Sequence, residues 1–204
     1  MSTFLRGLIP TSSSDHVVGN NVYLRPPELR DWESWARLRA ESREFLVPWE
    51  PTWPRDVLTQ SSFRQRIRRY SEESQNDRGY AFFVLRKEDD ALVGGLNLSH
   101  VHRGVTQSCS LGYWVGKRYA RKRYMSDAVA ATVSFVFDGL GLHRLEAACV
   151  PTNEASRRLL MKVGFTQEGY AREYLRINGK WRDHLLFSYV STDPRSQYSL
   201  SSEP

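Results

Sequence analysis

The stretch SCSLGYWVGKRYARKRYMS, residues 108–126, decides how this chain folds. It opens on an apolar run, Leu111, Tyr113, Trp114 and Val115, that reads as a buried strand. It then crosses a turn carrying Lys117, Arg118, Arg121, Lys122 and Arg123. Beyond the turn Met125, Ala128, Val129, Thr132, Val133 and Val136 recur at the spacing of one helix face. A strand, a cationic turn and a helix start together make an anion site. The first helical turn leaves amide N–H groups without intrahelical partners, and the helix dipole favours negative charge there. The occupant that this arrangement predicts is a phosphate-bearing ligand.

Outward from that stretch, 204 residues suffice for one domain with a real core and are short for two. A charged fraction of 25% beside 40% hydrophobic residues fits a soluble globule rather than a disordered chain. The net charge of +6 suits an acidic partner such as nucleic acid, a phosphorylated cofactor or a ribosomal surface, and selects none of them. Cys109 and Cys149 lie in apolar runs and read as buried free thiols, and neither they nor the five histidines show metal-ligand spacing, so no metal is expected. The first ten residues lack a signal-peptide core and no apolar run approaches transmembrane length. A cytoplasmic protein without membrane contact is the expectation by elimination.

In chain order, residues 1–15 read as a loose arm and 191–204 as a Ser-rich disordered tail, leaving a single domain over 16–190. A strand around Val22, Tyr23 and Leu24 precedes a helix over 28–42 and a second helix over 56–73. Between the helices, FLVPWEPTWP (45–54) carries three prolines and reads as an irregular loop, with Trp49 and Trp53 either facing a cleft or merely covering the core. Strands follow over 80–86, 92–98 and 107–115, then the basic turn and its helix, then a strand over 145–150. Asn153 is placed to cap the next helix and Gly164 to close it. Asn178-Gly179 centres a hairpin of strands 170–177 and 181–190. The order describes a mixed α/β sheet with helices crossing on either side of the anion turn.

That order, together with LGYWV (111–115), GLHRLEA (141–147), NEASRRLL (153–160), VGF (163–165), EGYA (168–171), NGKWRDH (178–184) and PWEP (48–51), resembles the GNAT (Gcn5-related N-acetyltransferase) superfamily. The similarity is closest to its ribosomal-protein alanine N-acetyltransferase branch and covers about residues 17–190. The resemblance implies a mixed, mostly antiparallel sheet flanked by helices, acetyl-coenzyme A (acetyl-CoA) as donor and an amine as acceptor. It implies that Trp114 and Val115 offer backbone groups to pantetheine, and that Arg118, Arg121, Lys122, Arg123, Tyr124, Met125 and Ser126 wrap the pyrophosphate. It also places Asn153 on the pantetheine arm and Ser156 near either the sulfur or the phosphate region, in the first case as proton donor to the leaving thiolate. Trp49 and Trp53 would wall a slot for a small first residue, alanine or serine, of a ribosomal or other protein.

At the turn the chain departs from the superfamily pattern Gln/Arg-x-x-Gly-x-Gly/Ala. Residues 118–123 read RYARKR, so Arg118 matches and arginine stands at both glycine positions. If 121 and 123 take helical dihedrals, the amides survive and the guanidinium groups gain charge-assisted bonds to phosphate. If either takes a positive φ, the expectation is a crowded site and weaker binding. Side chains at a helix start can point outward, so retained binding is the expectation, against the alternative of solvated arginines at a degenerate site.

Acetyl transfer needs an amine that sheds a proton, a donor for the oxyanion and an acid for the thiolate. Glu173 is the candidate base: strand alternation over 170–175 sets it beside Ala171 and Leu175, where a cleft would raise its pKa. A surface carboxylate paired with an arginine is the competing reading. Two other functions stay open at this point. One is a non-catalytic module of the same fold binding RNA or ribosome through Arg64–Arg69 and Arg118–Arg123; the other is an acetyltransferase for a small-molecule amine.

Overall fold

The computed structural model describes residues 16–195. Eight strands form one sheet in the order β1-β2-β3-β4-β5-β6-β8-β7. They are β1 (Val17–Val18), β2 (Val22–Arg25), β3 (Tyr80–Arg86), β4 (Leu92–His102), β5 (Ser108–Val115), β6 (Arg144–Cys149), β7 (Thr166–Ile177) and β8 (Lys180–Val190). Only β5 and β6 run parallel; every other neighbouring pair is antiparallel. Five helices flank the sheet: α1 (Trp32–Glu41), α2 (Arg43–Leu46), α3 (Gln60–Gln75), α4 (Tyr124–Ser134) and α5 (Glu154–Val163). A π-helical turn over Phe135–Gly139 extends α4. Among the described residues no helix is long and apolar enough to cross a membrane.

The core follows the strand periodicities. β3 and β4 are central and carry Phe82, Phe83, Val84, Leu85, Val93, Leu96 and Leu98, all buried. α5 is amphipathic and buries Leu160 and Val163, each worth about 1.5–3 kcal/mol on removal from water. Its capping follows the sequence expectation: the Asn153 side chain accepts the Ser156 N–H at 3.1 Å, and Gly164 closes the helix at φ 114°. Asn178 and Gly179 both take positive φ, as a primed hairpin turn requires. Cys109 and Cys149 are free and buried, and burial pushes the Cys109 thiol up to about 12.

Several segments differ from the sequence expectation; β4 runs on to His102 rather than ending at 98, and β7 starts at Thr166 rather than 170. The prolines over 45–54 do not abolish helix, because α2 runs to Leu46 and a 3-10 turn spans Val47–Trp49 with Pro48 in its first turn, where no N–H is required. α3 starts at Gln60 rather than 56, capped by the Thr59 hydroxyl, which accepts the Ser62 N–H. The chain beyond Val190 begins tied down: Ser191 N–H donates to the His143 carbonyl, Tyr189 Oη to the Pro194 carbonyl, and Arg195 pairs with Asp138 at 3.0 Å. The loose arm expected over 1–15 and the tail from 196 lie outside the described residues.

Candidate active site

The parallel pair holds the site open. β5 and β6 are in register from Ser108↔Arg144 to Leu111↔Ala147 and then part. β5 continues through Gly112, Tyr113, Trp114 and Val115 paired only with β4, while Ala148 and Cys149 pair only with β8. Alternate residues of 112–115 therefore turn their N–H and C=O groups toward a vacated edge. An extended amide-bearing arm can complete that edge as a strand would. Trp114 and Val115 stand on it, both half-buried.

Below the open edge the chain enters the basic turn. Gly116 N–H donates to the Val93 carbonyl, a 3-10 turn covers Lys117–Tyr119, and Tyr119 is buried. Arg121 then takes φ 63° and Arg123 φ 66°. The expectation of helical dihedrals at these two residues is overturned: both hold the left-handed conformation that glycine occupies without strain. Arg121, Lys122 and Arg123 are all exposed, so none of the three side chains is packed into the core beneath the turn. Positive φ on either side of Lys122 gives the alternation that points successive amides into one concavity, the geometry of an anion nest.

Helix α4 starts directly from Arg123, with no side-chain cap. Its first backbone bond runs from Asp127 N–H to the Arg123 carbonyl at 3.0 Å, so the amides of Tyr124, Met125 and Ser126 precede the ladder. The acid of this first turn is directed away. Asp127 is buried, and its carboxylate accepts N–H bonds from Asn20 (2.8 Å), Asn21 (2.6 Å) and Val22 (3.2 Å). Among the described residues Arg121, Lys122 and Arg123 form no ion pair, whereas Arg118 lies 3.5 Å from Glu41 and over the Tyr119 ring. Met125 contributes only backbone here, since its side chain is in the core; Tyr124 Oη accepts a bond from Arg86 Nη1 at 3.3 Å. Amides ahead of the helix ladder, three exposed cations and an acid turned away onto its own N–H donors fit a diphosphate.

Across the open edge stands the start of α5. Tyr113 Oη and Ser156 Oγ are 2.7 Å apart, joining β5 to α5 where β5 and β6 have separated. Burial pushes the Tyr113 hydroxyl well above its usual range, so it stays protonated. Burial likewise raises the Cys149 thiol, on the neighbouring end of β6. Two hydroxyls and a neutral thiol thus line the throat of the opening. Asn153 sits beside them with its carbonyl oxygen occupied by the helix cap.

On the far side, Trp53 is half-buried and donates Nε1–H to Glu50 Oε2 at 2.7 Å. Trp49 is exposed, and among the described residues nothing hydrogen-bonds or stacks against it. Glu173 departs from its expected setting. β7 has a bulge between Ala171 and Leu175, Glu173 takes φ 48° within it, and the strand alternation that would have turned its carboxylate into a cleft is broken. Glu173 is exposed, and its N–H is held at 2.8 Å by Asp183 Oδ1. Next to the bulge His184 is buried, its Nδ1 2.9 Å from the Arg182 carbonyl and its ring edge-on to Tyr174. Burial pulls its pKa below the ordinary histidine value and keeps the ring neutral.

A sheet opened between two parallel strands above an uncapped helix start is the frame on which the family match falls. Residues 21–166 match the family model described as an acetyltransferase (GNAT) domain. The chain belongs to the GNAT acetyltransferase family. It is 36% identical over 175 residues to the probable N-acetyltransferase YjcK of Bacillus subtilis, covering 86% of this chain and 97% of that one. It is 33% identical to the [ribosomal protein uS5]-alanine N-acetyltransferase of Escherichia coli, covering 81% and 86% respectively. Among solved structures, Mycobacterium smegmatis RimJ in complex with CoA-disulfide superposes with a TM-score of 0.82 at 32% identity, over 88% of this chain and 87% of that one. This GNAT chain is therefore an acetyl-CoA-dependent N-acetyltransferase, with the family's mixed, mostly antiparallel sheet flanked by helices.

Two residues of this face escaped the sequence reading. Arg39 is buried and grips Glu50 through both terminal nitrogens, at 2.7 and 2.5 Å. The signal was present: Arg39 lies four residues after Trp35 and one after Leu38, on the apolar stripe of its helix, where a cation needs a buried partner. Tyr113 reads from the sequence as one of three tyrosines, with Tyr124 and Tyr174, that could serve as an acid, with core packing the simpler account; what escaped was its partner, since nothing local connects it with Ser156.

Proposed function

We propose that this GNAT enzyme acetylates the N-terminal amine of a protein beginning with a small residue, alanine or serine, and that a ribosomal protein is the acceptor. The observation that carries the proposal is the loop of Glu50 and Trp53, tied through the Arg39 guanidinium to Trp114 at the open end of β5; in this reading the loop narrows the approach to the throat. The name of the 33%-identical E. coli relative supports the acceptor class.

In this reading acetyl-CoA supplies a thioester whose carbonyl is attacked by the amine. The edge of Gly112–Val115 takes the pantetheine amides, with the backbone of Trp114 and Val115 nearest the throat, and Asn153 keeps α5 in place beside it. The amides of Tyr124, Met125 and Ser126, with Arg118, Arg121, Lys122 and Arg123, hold the pyrophosphate. Ser156 hands its proton to the departing thiolate as Tyr113 passes its own to Ser156, and the proton that the amine releases to water restores Tyr113. An N-terminal amine of pKa ~8 needs only weak base assistance. Glu173, exposed on its bulge, supplies that assistance through water. Trp53, with Trp49 at the rim, excludes large first residues.

The test is a panel of peptides differing only in the first residue, run beside small amines and read by mass. Acetylation of Ala- and Ser-starting peptides at the α-amine is the expected result. Turnover of small amines alone would reject the protein acceptor.

A further inference from the structure

Trp35, Leu38 and Arg39 share the buried face of α1. The Arg39 guanidinium sits with its carbon 4.2 Å from the Trp53 ring centre and 4.8 Å from that of Trp114. Its two terminal nitrogens donate to Glu50, whose Oε2 also accepts Trp53 Nε1–H, and whose main-chain carbonyl accepts Asn178 N–H at 2.8 Å. One ion pair therefore joins α1, the acceptor-side loop, the coenzyme strand β5 and the turn of the β7–β8 hairpin.

The end of α1 is fixed to the exit of β5 by two further contacts. Lys117 N–H donates to Ser42 Oγ at 2.9 Å. Leu38 lies so close to Gly116 that a Cβ there would fall 2.4 Å from its Cδ1. Arg39 is thus mounted on an element that is itself registered against the coenzyme strand.

Stability alone is a poor reason to keep this arrangement. A buried ion pair seldom outperforms well-packed apolar residues of the same volume, and among the described residues Arg39 Nε has no hydrogen-bond partner, an added cost. What an apolar pair would lack is a planar cation that lies against an indole from each side of the site while its fork fixes the carboxylate holding one of them.

We propose that Arg39 is a positioning residue: it sets Trp53, the acceptor-side wall, at a fixed distance from Trp114 on the coenzyme strand. It thereby sets where the acceptor amine stands relative to the thioester. The proposal rests on the reading above that the loop bearing Trp53 receives the acceptor. Lysine does not serve in this role, because a point charge has neither the fork nor the flat face.

The experiment compares wild type, Arg39→Lys and the double variant Arg39→Met/Glu50→Gln on the peptide and small-amine panel. Acetyl-CoA affinity by calorimetry and melting temperature are measured on each. The double variant strands no buried charge, which keeps the fold. Acceptor kcat/KM is expected to fall by about 10²-fold in both variants. Acetyl-CoA Kd is expected to move by less than about threefold, because no residue of the pyrophosphate turn is touched. Acceptor kinetics that stay near wild type overturn the proposal, as does a loss in which coenzyme affinity and melting temperature fall in step with activity. If only small amines are turned over, the protein-acceptor reading fails and the same criterion is applied to the small amine. If no amine is turned over, the Trp53 indole N–H resonance decides. Acetyl-CoA binding must shift it in wild type and not in Arg39→Lys, and an unmoved wild-type resonance overturns the proposal.

Discussion

The two helix starts that follow the parting strands β5 and β6 are built on opposite plans. α5 begins in the ordinary way, with the Asn153 side chain accepting an N–H of its first turn and Glu154 set against the dipole. α4 begins on a left-handed arginine, without a cap, and the one acid of its first turn is consumed by three amides of the β1–β2 connection. A capped start has satisfied its donors and serves as a platform, here for Ser156. An uncapped one leaves its donors open, as the proposed pyrophosphate site requires, and the chain holds Arg121 and Arg123 at positive φ beside it. The contrast teaches that the anion site is defined less by its cations than by what has been withheld from it.

Reversing charge at the uncapped start would break the contrast most severely. Arg121→Glu/Arg123→Glu should weaken acetyl-CoA binding by about 10²-fold or more, since two charge-assisted contacts become repulsions at the dipole end. Calorimetry reads this directly, and a change below about threefold would mean that the phosphates lie elsewhere. At the capped start the expected effect is on rate. Ser156→Ala should lower kcat by roughly 10²-fold while leaving coenzyme affinity nearly unchanged, the pattern of a lost proton donor. Equal loss in kcat and in binding would instead assign Ser156 to holding the coenzyme. The smallest effect separates the two caps. Asn153→Ala should cost about 1 kcal/mol of stability, seen as a lower melting temperature, because it orphans the Ser156 N–H. Arg123→Ala removes no cap and should cost distinctly less.

Much of this frame is legible in the sequence, and the boundary is physical. Asn153, Gly164 and Asn178-Gly179 act through their own backbone neighbours, so residue type alone predicts what they do. The β5 strand and the face of α4 follow from apolar spacing for the same reason. The left-handed turn is different. Arginine by itself prefers helical dihedrals, and it is the buried anchors Tyr119 and Met125, with Gly116 bound to Val93, that fix the path between them. The Tyr113–Ser156 contact spans 43 residues and needs the sheet to part at Leu111 and Ala147 before it exists. Glu173 misled because alternation presumes an unbroken strand, and a bulge resets it. Arg39 was readable as an anomaly, a cation on an apolar stripe, although its partner in a proline-rich loop was not.

The most direct test of the whole account measures acetyl-CoA binding and melting temperature for wild type beside Arg121→Gly/Arg123→Gly. Glycine relieves two left-handed residues, so the variant should gain about 1 kcal/mol or more in stability. If amides carry the grip and the arginine side chains only reinforce it, wild type binds and the variant stays within about tenfold of it on the weaker side. A wild type that gives no binding heat, next to a glycine variant that binds tightly, would contradict the account: the guanidinium groups would then be blocking the nest rather than framing it.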